Sequence, residues 1–137
     1  LVYEVQQTSD WTYRVYDWGR PPTEKRPLHI EKSIRAMRPD FTAPVIPMPA
    51  CGDGTSHTLI QCDYFTLDLL CAEAQPIDLD TRGESFHAIT VIEGKASLIA
   101  DGECVDLERF QTAVVPASLG AYRFEPQMAC RALKSSV

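Results

Sequence analysis

Four ionisable side chains fall close together in the opening segment YEVQQTSDWTYRVYDW: Glu4, Asp10, Arg14 and Asp17. Their types suit polar chemistry on a negatively charged small molecule. A guanidinium offers a planar fork of donors that grips a phosphate or a developing oxyanion, and carboxylates nearby can take up and return protons. Burying an unpaired arginine is costly, so an arginine among strand-forming aromatics points to a site that holds negative charge. The plainer alternative is an edge arginine whose stem lies over aromatic rings while its head stays in water. Periodicity alone favours that alternative.

The elements that must position these groups can be read from the pattern. Residues 2–18 read as one or two strands, with Thr12, Arg14, Tyr16 and Trp18 on one face and Trp11, Tyr13, Val15 and Asp17 on the other. Trp11 and Tyr13 are expected in a core. Asp10 and Arg14 would lie about 13 Å apart on a straight strand, within direct reach only if residues 8–10 bend. Asp17 can pair with Arg20. A Gly19–Pro22 turn follows, then a helix over 28–38, with Ile30, Ile34 and Met37 as its apolar stripe, Pro27 at its start and Pro39 at its end. His29 reads as a surface or capping residue. Prolines and glycines between 39 and 57 mark a connector. From Thr58 on, short β-branched runs separated by Glu93-Gly94-Lys95 and Asp101-Gly102 predict hairpins in a sandwich or barrel.

Composition narrows the functional classes. The 137 residues suit one modest domain's worth of core, 45% are hydrophobic, and no apolar run reaches membrane-spanning length. A net charge of −6 argues against nucleic acid as a partner. Neither a membrane partner nor a signal peptide is indicated. Five cysteines (Cys51, Cys62, Cys71, Cys104 and Cys130) without a CxxC pair suggest reduced, structural thiols and a cytoplasmic setting.

The wording of the opening is more specific than its periodicity. YEVQQTSDWTYRVYDWGR followed by RPLHIEKSIRAM resembles the type I mannose-6-phosphate isomerases in their compact bacterial form. The resemblance implies an aldose–ketose isomerase interconverting mannose 6-phosphate and fructose 6-phosphate. It implies a zinc ion in an upstream cupin, held by a glutamine, two histidines and a glutamate, none of which lies in this chain. Arg14 matches the active-site arginine, Asp10 the aspartate of ring opening and proton handling, and Glu4 a substrate-side acidic position. The chain opens at Leu1 with no initiator methionine, just past the strand expected to carry a zinc histidine. It therefore reads as the C-terminal part of such an enzyme, inactive alone, with a phosphosugar as the parent's substrate. The expected division is the end of a catalytic cupin over 1–27, a linking helix and connector over 28–57, and a cupin barrel over 58–137. Severed from its sheet, the 2–18 strand is expected to pair with a second copy or with the barrel.

Residues 83–126 resemble the cupins, small jelly-roll barrels. The turn glycine of the first cupin motif falls on Gly94, its glutamate on His87, and its histidine pair near Thr81–Gly83, where no histidine stands. Pro116 keeps its place in the second motif, whose glycine and histidine positions are Ser118 and Ala121. At most one ligand remains, so the expected barrel binds no metal, and His87 reads as a core or hydrogen-bonded histidine that Glu84 and His57 could join. The whole is thus expected to be mainly β, a jelly-roll preceded by strands and one linking helix. The competing functional reading is a metal-free cupin module for sugar binding or dimerisation.

Overall fold

A computed structural model describes residues 2–6, 11–40, 42, 45 and 47–137. The chain divides into two compact units, one of residues 1–5 with 46–137, the other of residues 6–45. The first strand of the β unit begins at Thr55, and the unit also takes in part of the preceding connector and the first residues of the chain.

Nine strands build the β unit: β1 (Thr55–Gln61), β2 (Thr66–Ala72), β3 (Ile77–Asp80), β4 (His87–Glu93), β5 (Ala96–Ala100), β6 (Glu103–Leu107), β7 (Thr112–Val115), β8 (Ala121–Pro126) and β9 (Cys130–Ser136). They form two antiparallel sheets, one ordered β1-β2-β9-β4-β7 and the other β3-β8-β5-β6. The expected jelly-roll barrel is what the alternating apolar runs build. Leu70, Ile89, Val91, Leu98, Phe124 and Ala132 fill the space between the sheets. Strand β2 is buried on both faces, because Leu67, Leu69 and Cys71 pack with Leu133, Val5 and Phe65 on the opposite side of the first sheet. That second, smaller core explains why β2 reads as a continuous apolar run rather than an alternating one.

Asp101-Gly102 makes the expected hairpin between β5 and β6. Both residues take positive φ, 50° and 82°, as a tight turn between right-twisted strands requires. Glu93-Gly94-Lys95 does not make a hairpin. It carries the chain from the first sheet to the second, and the apolar runs on either side lie in different layers. Gly94 has φ +77°, and a Cβ there would collide with the Ala129 carbonyl. Backbone strain and overlap act together at this corner. Gly94→Ala is expected to destabilise the β unit by about 2–4 kcal/mol, read as a lowered denaturation midpoint at unchanged slope.

The cysteine reading needs correction. Cys51 and Cys71 form a disulfide, leaving Cys62, Cys104 and Cys130 free. Sequence separation hid the pairing: the partners stand 20 positions apart and meet only because the connector runs back across β2. Asp53 fastens the same crossing by accepting the backbone N–H groups of Glu73, Ala74 and Gln75. The argument for a reducing compartment from five free thiols therefore lapses. Thiol titration of the unfolded, unreduced chain should count three reactive thiols, rising to five after reduction.

No strand forms over 2–18 among the described residues, and no strand pairing with the barrel is seen there. A strand is held by its neighbours, and none is offered to this segment. Its first residues dock by side chains instead: Val5 joins the smaller core, and Thr90 Oγ1 donates to Tyr3 Oη at 3.4 Å.

In the second unit the helix α1 spans only Ile30–Ala36. Ile30, Ile34 and Met37 are exposed and Ser33 is the buried residue of the helix, so the expected packing stripe is not buried among the described residues. Trp11 and Tyr13 also lie at the surface, Trp11 with 79% of its area exposed. Their rings meet edge-on at 6.3 Å, contacting each other rather than a core.

Candidate functional site

Arg14 is held by its backbone. Its N–H donates to His29 Nδ1 at 3.3 Å, and its carbonyl accepts from the His29 N–H at 2.7 Å. His29 in turn stands at the N-terminus of α1, where its carbonyl accepts from the Ser33 N–H and the Ser33 hydroxyl, both at 2.8 Å. The side chain of His29 caps Arg14 and not its own helix. The guanidinium is half-buried and makes one long bond, 3.4 Å, to the Pro27 carbonyl. The described residues thus engage only one end of its donor fork.

A second tie closes the same loop. Arg26 donates through both Nε and an Nη to the two carboxylate oxygens of Asp17, at 2.6 and 2.9 Å. This replaces the expected pair with Arg20, whose backbone N–H donates to the Asp17 carbonyl at 2.9 Å and whose charge acts on the carboxylate without a direct ion pair. Asp17 is buried, and the hydrogen bond from Arg26 holds its carboxyl below the ordinary aspartate value. Trp18 and Gly19, both at positive φ, turn the chain so that Arg26 can reach back. A single strand reading could not anticipate this, because the partners of Arg14 and Asp17 come from beyond the turn.

The other sequence-predicted residues fare differently. Asp10 lies outside the described residues. Glu4 is exposed and belongs to the β unit. Among the described residues no three metal-ligating side chains converge, so they do not fit a zinc ion.

At one end of the β unit's interior lies a cavity of about 600 Å³, which the sequence did not disclose. It opens between the end of β3, the 81–85 turn, the first residue of β4 and the end of β9. His87 lines it and is buried, its Nδ1 2.6 Å from Tyr122 Oη. Glu84 lines it as well, whereas His57 does not and bonds Thr55 Oγ1 instead. Burial, with a smaller contribution from Lys134, pushes the His87 imidazole below its ordinary value of 6.5. The unfolded chain thus takes up a proton near pH 6.5 that the folded chain resists. Stability gained from this is full above that pH and falls as the pH drops toward the folded value. His87→Gln should flatten that acid limb, measured as denaturation midpoints from neutral pH down to about pH 5.

No protein-family model matches the chain. Over 95% of its length it is 31% identical to the mannose-6-phosphate isomerase ManA of Bacillus subtilis, of which it spans 42%. It is 27% identical over 91% of its length to the mannose-6-phosphate isomerase of Streptococcus mutans, spanning 40% of that protein. The chain thus spans about two-fifths of the curated relatives it matches. Among solved structures, the Bacillus subtilis mannose 6-phosphate isomerase superposes with a TM-score of 0.70 at 25% identity, over 94% of this chain and 41% of that one. An RmlC-like cupin protein from Desulfovibrio desulfuricans superposes at 0.58 with 14% identity, over 71% and 97%, a likeness of fold alone. No described helix is long and apolar enough to cross a membrane.

Proposed function

The chain is homologous to a C-terminal part of the mannose-6-phosphate isomerases and carries a cupin fold, and from that premise we propose that it is the C-terminal part of a zinc-dependent enzyme interconverting mannose 6-phosphate and fructose 6-phosphate. Zinc belongs, on this reading, to the remainder of the parent protein, where it would act as a Lewis acid toward the sugar oxygens. The observation that carries the reading for this chain is the clamp on Arg14. Backbone bonds to His29 on both sides hold its Cα while leaving the guanidinium free to meet negative charge.

Isomerisation moves a proton between C1 and C2 of the open-chain sugar and builds negative charge on the adjacent oxygens. A fixed guanidinium can stabilise those oxygens or hold the phosphate. Asp10 is assigned to ring opening and proton handling, and Glu4 to the substrate side, both on the resemblance alone. The chain by itself is proposed to be inactive, and a cytoplasmic setting goes with the isomerase reading.

A paired assay tests this. The complete parent and the 137-residue chain are each measured for zinc content and for conversion of mannose 6-phosphate. Zinc and turnover in the parent with neither in the chain support the reading. A parent without zinc or turnover removes it and leaves the metal-free cupin module.

A further inference from the structure

We infer that the cavity at the end of the barrel, lined by residues of the β unit alone, is a binding site for a neutral, hydroxyl-rich molecule of sugar size. The inner faces of the strands give it a polar floor. His87 shares a face of β4 with the core residues Ile89 and Val91, and Lys134 shares a face of β9 with Ala132. Both polar side chains lie at one end of an otherwise apolar interior and line the same cavity.

The donor and acceptor set defines the ligand. Tyr122 is buried, and its hydroxyl bonds His87 Nδ1. The tautomer of the ring sets the direction of that bond, and in either tautomer of the neutral ring Nε2 is left to donate to, or accept from, a hydroxyl group. Tyr122 does not line the cavity, whereas His87 does, so the imidazole is the member of the pair that a ligand there can meet. Lys134 is already paired with Asp68 at 2.9 Å, and Asp78 with Arg123 at 2.8 Å. The lining charges without such a partner are Asp80, Glu84 and Arg82, one more negative than positive. That balance repels a phosphate and suits hydroxyl groups, which can donate to the carboxylates and, being both donors and acceptors, pair with the imidazole in either tautomer.

The rim is built in advance. Asp80 Oδ1 accepts the Arg82 N–H at 2.7 Å, and the Thr81 carbonyl accepts the Glu84 N–H at 3.0 Å. The buried Thr81 hydroxyl donates to the Ala117 carbonyl at 2.6 Å and accepts from the Gly120 N–H at 3.0 Å. Arg82 and Gly83 complete the turn at φ 54° and 71°. The 81–84 turn, which carries Arg82 and Glu84, is thereby pinned to the segment leading into β8. The cavity volume falls within the range of small-molecule sites, about 300–1,000 Å³.

The test is an amide-resolved NMR titration of the 137-residue chain with D-mannose and D-mannitol to about 50 mM, enough to read a millimolar Kd. Mannose 6-phosphate serves as the charged comparison. Saturable shifts are expected at Glu84, His87 and Ser136, with the phosphosugar binding more weakly at these residues. Glu84→Gln leaves the fold intact, because Glu84 is exposed, and should weaken binding about tenfold. Three results overturn the inference: no shifts at these residues, shifts that Glu84→Gln leaves unchanged, or tighter binding of the phosphosugar there. Arg14→Ala in the same chain should leave the titration unaltered. The outcome is therefore independent of whether the parent isomerises mannose 6-phosphate.

Discussion

Arg14→Ala in the complete parent enzyme is expected to lower kcat/KM for mannose 6-phosphate by about a hundredfold, the loss typical of removing one donor from a site of developing negative charge. Folding and zinc content should be unchanged. The expectation rests on how little else the side chain does among the described residues: its side-chain bond there is the long contact to Pro27, while the backbone bonds to His29 survive truncation. A structural arginine with such contacts would cost almost nothing to remove, so a large kinetic loss has to come from the substrate. How the loss divides is informative. A fall in kcat alone places the guanidinium on the enediolate oxygens, and a rise in KM alone places it on the phosphate. Arg14→Lys should recover only part of the rate, because an ammonium restores the charge but not the planar fork. An alanine variant within twofold of the parent would remove Arg14 from the site.

How legible this protein was in its sequence depended on how local the determining contacts are. The barrel could be read because burial between two sheets imposes a period of two on Leu98, Phe124, Ile89 and Val91, and because Asp101-Gly102 carries its turn geometry in two residues. The segment around Arg14 has the same alternation, yet it forms no strand. Alternation reports a capacity to be half-buried, and the partner sheet that would use it is not supplied by the described residues. The clamp from His29 and the ion pair of Asp17 with Arg26 span 15 and 9 residues, and no periodicity encodes them. The disulfide and the cavity were hidden for the same reason. Each depends on where distant strands end, which residue spacing does not record. The resemblance of the opening segment reached further than its physics, since it pointed to the mannose-6-phosphate isomerases to which the chain is similar, while no strand forms among the segment's described residues.

The interior ion pair sets the largest expected effect on stability. Asp68 and Lys134 are direct cross-strand partners on β2 and β9, with side chains 9% and 13% exposed and a separation of 2.9 Å. The Thr58 hydroxyl on β1 donates to the other oxygen of Asp68 at 2.7 Å, so three adjacent strands meet at one carboxylate. Removing the cation alone leaves that carboxylate buried with a single hydroxyl donor. Lys134→Met should therefore cost about 3–5 kcal/mol, a large share of the roughly 5–15 kcal/mol that a domain has. Removing both charges is a different perturbation, because the desolvation of each disappears together with their attraction. The double variant Asp68→Leu, Lys134→Met should be markedly more stable than either single change, giving a coupling of about 2 kcal/mol or more in a double-mutant cycle. Single variants within about 1 kcal/mol of the parent would mean that water reaches the pair through the cavity and screens it. The same cycle bears on binding, because Lys134 forms part of the cavity floor. A barrel that keeps a costly charge pair next to its one buried histidine, where an apolar pair would fill the core at less expense, keeps that end polar, as a site for hydroxyl groups requires.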